Sequence, residues 1–466
     1  MSGLGLTLAQ AARALGVDPG PAAGKVRLSE VSTDTRTLAP GALFVALRGE
    51  NFDGHRFLKQ AFALGAAAAV VDRPVRGHQD RVLLRVPDTL RGLGDLAGFL
   101  RRRRPLRVAA VTGSNGKTTT KEMLAAVAGT TYRTLATAGN LNNLVGLPLT
   151  LFRLRPEHEA AVLEMGMNRP GEIARLTEIA DPDVGLVTCV APAHLEGVGG
   201  LRGVARAKAE LYAGLKPTAV AVVNLDDPFA TRMAARAAGP RITFGFSRRA
   251  DVRGRKVRLR GLQGVGFELV TPAGAAEVRL SLLGRHNVLN ALAAAAAGVA
   301  MGLTPDRIAA GLSQVGAYAG RLSLKRLPGP VYLLNDSYNA NPASVEAGLG
   351  VLAEVRGQGR AVAVLGDMLE LGSAGRTEHA RVGRTAAERK VDLLVGVGPL
   401  TRFLIRAAQK NGLNDSRTAW FSDQAEAAAW LKTQLIPRDR VLVKGSRGMG
   451  LETVVEMLEK EGGGLA

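Results

Sequence analysis

The segment from Arg107 to Val127 constrains the fold more than any other. Arg107 to Thr112 reads as a strand of continuous apolar character. It is followed at once by Gly113-Ser114-Asn115-Gly116-Lys117-Thr118-Thr119 and a helical pattern through Met123, Leu124 and Val127. Phosphate binding after a buried strand needs converging backbone N–H groups, glycines that permit the turn, and a lysine that reaches the outer phosphates. This run supplies each part. The usual phosphate loop places its first Gly six residues before the Lys, where this chain has Val111, so the loop is the shorter Gly-x-x-Gly-Lys-Thr variant. Lys117 is expected on the β- and γ-phosphates of a nucleotide and Thr118 on Mg²⁺.

Further apolar strands are expected at Ala160 to Leu163, Val184 to Val190 and Val220 to Val223, separated by helical stretches. That alternation predicts a mainly parallel sheet wrapped by helices. Val252 to Leu282 alternates polar and apolar residues with Gly and Pro breaks, as an antiparallel excursion does. Upstream, Val31 to Asp72 reads as a small α/β unit, with strands Leu43 to Leu47 and Ala67 to Val71 flanking a helix from Phe57 to Leu64. From Arg321 the pattern repeats, with strands at Val331 to Leu334, Ala361 to Leu365, Leu393 to Val397 and Arg440 to Val443. Helices are expected there at Ser344 to Glu354, Glu378 to Ala387 and Ala425 to Leu431. Length agrees, since 466 residues at about 150 per domain make roughly three domains. The expected class is α/β: a small N-terminal domain over 1–104, a central phosphate-loop ATPase over 105–320, and a doubly wound, Rossmann-like domain over 321–466.

Net charge is +20, from 61 basic and 41 acidic residues, which raises nucleic acid as a partner. Aromatic residues are only 4%, leaving few stacking platforms for single strands, and an anionic small substrate explains a positive surface equally well. The dense cluster Arg101 to Arg104, ending at Pro105, is expected as a solvated helix end or linker. The sole cysteine, Cys189, cannot form an intramolecular disulfide and is expected as a buried strand thiol in a reducing compartment. Met1 to Gly20 shows no secretory signal. The uncharged, Ala-rich stretch His286 to Pro305 is expected as a buried helix rather than a membrane span. A cytoplasmic, soluble monomer without a nucleic-acid partner is the expectation.

Other polar residues bear on the acceptor. Glu164 ends the apolar run Ala160 to Leu163, and a carboxylate at the C-terminal edge of a parallel strand points at the nucleotide crevice, where such folds hold Mg²⁺. His194 lies just beyond the strand Val184 to Val190, and alone it reads as a loop or core histidine. Lys208, in a helix Val204 to Leu211, reads by default as a solvated helix lysine.

Together these residues resemble the Mur ligases of peptidoglycan synthesis. The likeness rests on Thr112 to Thr119, Gly139-Asn140-Leu141-Asn142-Asn143, Glu164-Met165-Gly166, His194-Leu195-Glu196 and Ala207-Lys208. Asn140 to Thr150, Glu164 to Glu172, Asn335 to Pro342, Leu365 to Gly372 and Val443 to Glu452 resemble the branch that adds D-alanyl-D-alanine to UDP-N-acetylmuramoyl-tripeptide. The resemblance implies domains for a UDP-sugar, for ATP and for the incoming amine. It implies that Ser32, Asp34 and Arg36 belong to a uridine-nucleotide signature, which without it would read as an exposed turn pair, and that Asn140, Asn142 and Asn143 face substrate. Asn287 and Asn290 match an adenine-side segment, Arg321 a hinge arginine on ATP phosphate, and Asp336, Tyr338 and Asn339 a nucleotide-facing loop. Lys444, Ser446 and Arg447 are assigned to the dipeptide carboxylate. Two Mg²⁺ ions are implied, held by Thr118, Glu164, His194 and a carbamylated Lys208.

The implied chemistry is phosphorylation of a carboxylate by ATP, then attack of an amine on the acyl phosphate. Catalysis is then positioning and charge neutralisation by Lys117, Arg321 and the metal set, with no protein nucleophile. Folylpolyglutamate synthetase shares the loop and activation chemistry but lacks an N-terminal block such as Val31 to Asp72. A sister ligase adding a diamino acid would carry an Asp-Asn-Pro-Arg motif, which the third block lacks. A nucleic-acid ATPase is the remaining alternative.

Overall fold

The computed structural model describes residues 4–18, 26–78, 80–192 and 198–460. Among them, strands form sheets of four, nine and six. The first contains β1 (Val31–Ser32), β2 (Leu43–Val45), β3 (Ala68–Val71) and β4 (Leu83–Arg85), parallel and in that order. The helix expected from Phe57 to Leu64 is a 3₁₀ turn, Gly54–Phe57, running into Leu58–Ala63.

The central sheet holds β5 (Arg107–Thr112), β6 (Thr134–Ala136), β7 (Ala160–Glu164), β8 (Val184–Val187), β9 (Val220–Asn224), β10 (Arg241–Gly245), β11 (Val252–Leu259), β12 (Val265–Thr271) and β13 (Gly274–Leu280). Their order is β13-β12-β11-β10-β9-β8-β5-β7-β6, parallel except for the β11–β12–β13 meander. The meander is the antiparallel excursion expected from the sequence. Apolar residues on both faces of β5 to β9 bury against separate helix layers, which is why these strands read as continuous apolar runs. The Ala-rich stretch forms the helix Arg285–Ala300, and Ala291 to Ala297 are almost wholly buried against Met123, Leu124 and Val127 of the phosphate-loop helix. Small side chains let the two helices approach closely.

The third sheet runs β14 (Ser323–Leu327), β15 (Val331–Asn335), β19 (Arg440–Lys444), β16 (Ala361–Gly366), β17 (Leu393–Val397), β18 (Thr418–Phe421), antiparallel only at β14–β15. Helices Pro342–Val355, Gly375–Glu388 and Gln424–Gln434 extend each expected helix by a few residues.

Three expectations are corrected. The strand at Val184 stops at Val187, so Cys189 lies in the following loop rather than within the sheet. Arg101 closes a helix, Thr89–Arg102, that starts on the Asp88 cap, and it is not solvated. It is 4% exposed, donating to the carbonyls of Ala180 at 2.9 Å and Asp181 at 3.0 Å, which ties the N-terminal domain to the central one. Arg102 and Arg103 remain exposed. Lys208 sits on the buried face of the helix Leu201–Ala213 and is 2% exposed, so it is not a solvated lysine. Among the described residues, no helix is long and apolar enough to cross a membrane.

Candidate active site

The carboxyl ends of β5, β7 and β8 open into one cavity of about 680 Å³, closed on the far side by residues 320–348 and Lys444 of the C-terminal domain. In a doubly wound sheet this edge is where ligands bind. The loop after β5 begins at Gly113 with φ +151°, where a Cβ would fall 1.8 Å from Thr188 Oγ1. It ends at Gly116, φ +76°, the residue before the helix Lys117–Gly129. The first N–H groups of that helix therefore face the cavity without a side-chain cap, as an anion site requires. Thr188 Oγ1 donates to the Asn115 carbonyl at 2.6 Å, and Ser114 Oγ donates to Ala191 O at 2.9 Å, so the loop after β8 holds the phosphate loop in place. Lys117 Nζ donates to the Gly113 carbonyl at 2.9 Å. Burial pushes its ammonium down, with Arg321 adding to the effect and Glu164 opposing it.

Glu164, at the end of β7, is 2% exposed. Its Oε1 accepts from Asn142 Nδ2 at 2.8 Å, and its Oε2 is buried without a hydrogen-bond partner. An orphaned carboxylate oxygen is what a cation site leaves when the ion is removed. Thr118 and Glu164 line the same cavity, and a hydroxyl and a carboxylate oxygen fit Mg²⁺, which takes few protein ligands beside phosphate and water; Lys208, which lines it too, offers an amine and no oxygen. Burial drives the Lys208 amine well below its ordinary range, and the neighbouring Lys117 pushes it the same way. Cys189 lines the cavity too, its thiol pushed up by burial. His194 lies outside the described residues.

From the C-terminal side, Arg321 stacks on Tyr338 at 4.4 Å, and Arg447 covers the same ring at 4.9 Å. Asp336 accepts from Leu322 N–H at 3.2 Å and from Lys444 Nζ at 2.7 Å, while Lys444 also donates to Asn339 O at 2.8 Å. Lys444 is thus a buried strut under the 336–339 loop. Ser446 is buried, its Oγ accepting from Leu369 N–H at 2.9 Å. Ser446 and Arg447 are not among the residues lining the cavity. Asn290 donates to Asn287 Oδ1 at 3.0 Å, and Asn287 donates to Leu283 O at 2.8 Å, so the pair is fixed before any nucleotide arrives. Asn140 and Asn143 are exposed at the cavity mouth, where Asn143 Oδ1 also caps the turn into Gly146–Leu151.

Ser32, which ends β1, and Asp34 and Arg36, which follow it, lie apart from this cavity. Arg36 holds both carboxylate oxygens of Asp34, the closest contact 2.6 Å, and draws its pKa down to about 2.

Sequence reasoning missed several residues at the site. Thr188 carried no motif. Asn341 donates from Nδ2 to Asn115 Oδ1 at 2.7 Å, bridging the C-terminal domain to the phosphate loop, and it stands within the quoted Asn335 to Pro342 segment. His286, whose imidazole burial pushes down to about 4, lines the cavity in neutral form.

Three domain profiles match in chain order: "Mur ligase family, catalytic domain" over 27–98, "Mur ligase middle domain" over 111–298 and "Mur ligase, glutamate ligase domain" over 320–447. The chain belongs to the Mur ligase family of ATP-dependent ligases. It is 42% identical over 442 residues, 94% of this chain and 95% of the relative, to the UDP-N-acetylmuramoyl-tripeptide–D-alanyl-D-alanine ligase of Escherichia coli K12. A crystal structure of MurF from Acinetobacter baumannii superimposes with a TM-score of 0.90 at 36% identity, covering 98% of this chain and 99% of that one. MurF ligase from Thermotoga maritima, solved with ADP, gives a TM-score of 0.83 at 29% identity over 93% and 97% of the two chains.

Proposed function

We propose that this chain joins D-alanyl-D-alanine to UDP-N-acetylmuramoyl-tripeptide, with ATP cleaved to ADP and phosphate, in the cytoplasmic stage of peptidoglycan precursor synthesis. The observation that carries the reading is the near full-length identity to relatives bearing that activity in their names, N-terminal domain included. The domains would divide as 1–104 for the UDP-sugar, 105–320 for ATP and 321–466 for the dipeptide.

A carboxylate is a poor electrophile, so its oxygen first attacks the γ-phosphorus of ATP, forming an acyl phosphate and releasing ADP. The dipeptide amine then attacks the acyl carbon, and phosphate leaves with the new amide formed. Lys117 and Arg321 offset the charge of carboxylate and phosphates brought together, and the helix N-terminus at Lys117 cradles the phosphates. Asn287 and Asn290 sit on the adenine side. Mg²⁺, when bound at Thr118 and Glu164 with His194 and Lys208, supplies charge neutralisation between the anions. Lys208 serves there as a carbamate. Burial disfavours its ammonium form; the free amine adds to CO₂, the amine proton leaves, and the carbamate so formed would be an anionic ligand. Asn140, Asn142 and Asn143 meet the tripeptide, and Lys444, Ser446 and Arg447 shape the dipeptide pocket, Lys444 through Asp336.

Phosphate release from ATP, measured with UDP-N-acetylmuramoyl-tripeptide in the presence and absence of D-Ala-D-Ala, tests the reading. Release is expected only with both. Stimulation by DNA or RNA, or by a free diamino acid in place of the dipeptide, would overturn it.

A further inference from the structure

A chain of polar side chains behind the cavity has no part in the chemistry above. Lys121 follows Lys117 by one turn on the same helix and is 0% exposed. A lysine that deep persists only when paired and hydrogen-bonded. Its Nζ pairs with the carboxylate of Glu122 and donates to the Thr137 carbonyl at 2.8 Å. Thr137 Oγ1 in turn accepts from the backbone N–H of Glu164 at 3.0 Å. The second oxygen of Glu122 accepts from the Tyr318 hydroxyl at 3.2 Å. Tyr318 lies in the irregular linker that leaves the helix Pro305–Ser313 and enters the C-terminal domain. Its carbonyl accepts from Arg321 N–H at 3.1 Å, and Gly320 O accepts from Tyr338 N–H at 3.1 Å, directly under the Arg321 guanidinium. Burial and Glu122 push the Tyr318 hydroxyl up to about 12, so it remains a donor at neutral pH.

We infer that Lys121, Glu122 and Tyr318 are positioning residues that register the interdomain linker on the phosphate-loop helix and thereby set Arg321 against the phosphates of bound ATP. One buried ammonium orients both branches. Through Thr137 it supports the strand end that presents Glu164, and through Glu122 and Tyr318 it supports the turn that presents Arg321. Along the linker, the other side-chain hydrogen bond to the central domain among the described residues is Ser281 Oγ on Val315 O at 2.8 Å, six residues short of Arg321. The inference rests on reading the cavity as the ATP site.

The test is a double-mutant cycle on the full chain, reading ATP affinity by titration calorimetry in wild type, Tyr318→Phe, Arg321→Ala and the double variant. Tyr318→Phe removes one hydroxyl and is expected to weaken ATP about three- to ten-fold, as loss of one hydrogen bond does. In the Arg321→Ala background the same change is expected to do nothing, because what it positions is gone. Wild-type affinity in Tyr318→Phe, or an equal loss in both backgrounds, overturns the inference, since a contact that only stabilises the fold is indifferent to Arg321. Failure of the wild-type chain to bind ATP is a separate outcome that removes the reading of the cavity and the inference with it.

Discussion

Lys208 shows how far a single side chain departs from what its sequence context suggests. Helical spacing places it in the helix Leu201–Ala213, but nothing local states that this face turns inward toward Lys117, so the solvated reading fails on burial alone. Burial and the neighbouring Lys117 both disfavour its ammonium form, whereas the proposed carbamate would add an anion beside Glu164. Lys208→Ala is therefore expected to be nearly inactive in phosphate release, with partial rescue by added formate or acetate filling the vacated ligand position. Normal turnover of that variant, with an intact mass showing no added CO₂ on the wild type, would return Lys208 to a structural role. A second consequence concerns pH. The folded-state pKa lies below the ordinary 10.5, so between the two values the unfolded chain binds the extra proton and stability rises with pH. Lys117 contributes in the same direction. In CO₂-free buffer below pH 9, where the raised Cys189 thiol does not interfere, urea midpoints are expected to climb with pH and to climb less in Lys208→Met. An unchanged slope would mean the amine is not desolvated.

The phosphate-binding unit was legible at the level of elements because its requirements are local: a strand, glycines at the turn, then Lys and Thr opening a helix. Gly116 carries the sharpest constraint, with φ +76° and a Cβ position 2.2 Å from Asn290 Oδ1. Gly116→Ala is expected to cost about 1–2 kcal/mol for the left-handed backbone, seen as a lower urea midpoint. It should also weaken ATP, because Asn290 and the helix N-terminus both have to shift. Unchanged ATP affinity in a folded Gly116→Ala would show that this turn is not the phosphate cradle. What was not legible depends on distant pairings. Thr188 holds the loop only because β8 lies beside β5, and Asn341 reaches Asn115 only because the third sheet packs against the crevice. Arg101 looked like a member of a basic run, yet the carbonyls of Ala180 and Asp181 that bury it arrive from a helix end some eighty residues away. Strand ends were over-extended for a related reason. Apolar character continues from Val187 into Cys189 and Val190, but past Val187 the regular ladder gives way to single backbone bonds beside the phosphate loop, from Thr188 N–H to Thr112 O at 2.9 Å and from Ser114 N–H to Cys189 O at 2.8 Å.

At the scale of the whole molecule, separate apolar cores lie under each sheet, with Arg101 and residues such as Phe152 and Val145 as the seam between the N-terminal and central domains. That arrangement separates the sites in space. Asp34 and Arg36 follow β1, whose carboxyl end belongs to the four-stranded sheet, and neither lines the cavity that holds Lys117, Glu164 and Arg321. If the N-terminal domain is an independent UDP-sugar module, damage there should not travel. Arg36 is exposed and Asp34 half-exposed, and they are bonded mainly to each other, so removing either leaves no buried charge behind, and folding should be little affected. Arg36→Ala is the cleaner probe, since a freed guanidinium in Asp34→Ala could still meet a diphosphate while a freed carboxylate repels one. We expect Asp34→Ala to weaken UDP-N-acetylmuramoyl-tripeptide, Arg36→Ala to weaken it more, and both to leave ATP affinity within about two-fold of wild type, a range that solvent-exposed changes far from a site usually respect. Separate calorimetric titrations of the two ligands decide it. Equal loss of both in a protein with an unchanged urea midpoint would mean that the four-stranded sheet and the ATP cavity act as one binding unit, joined through the Arg101 seam.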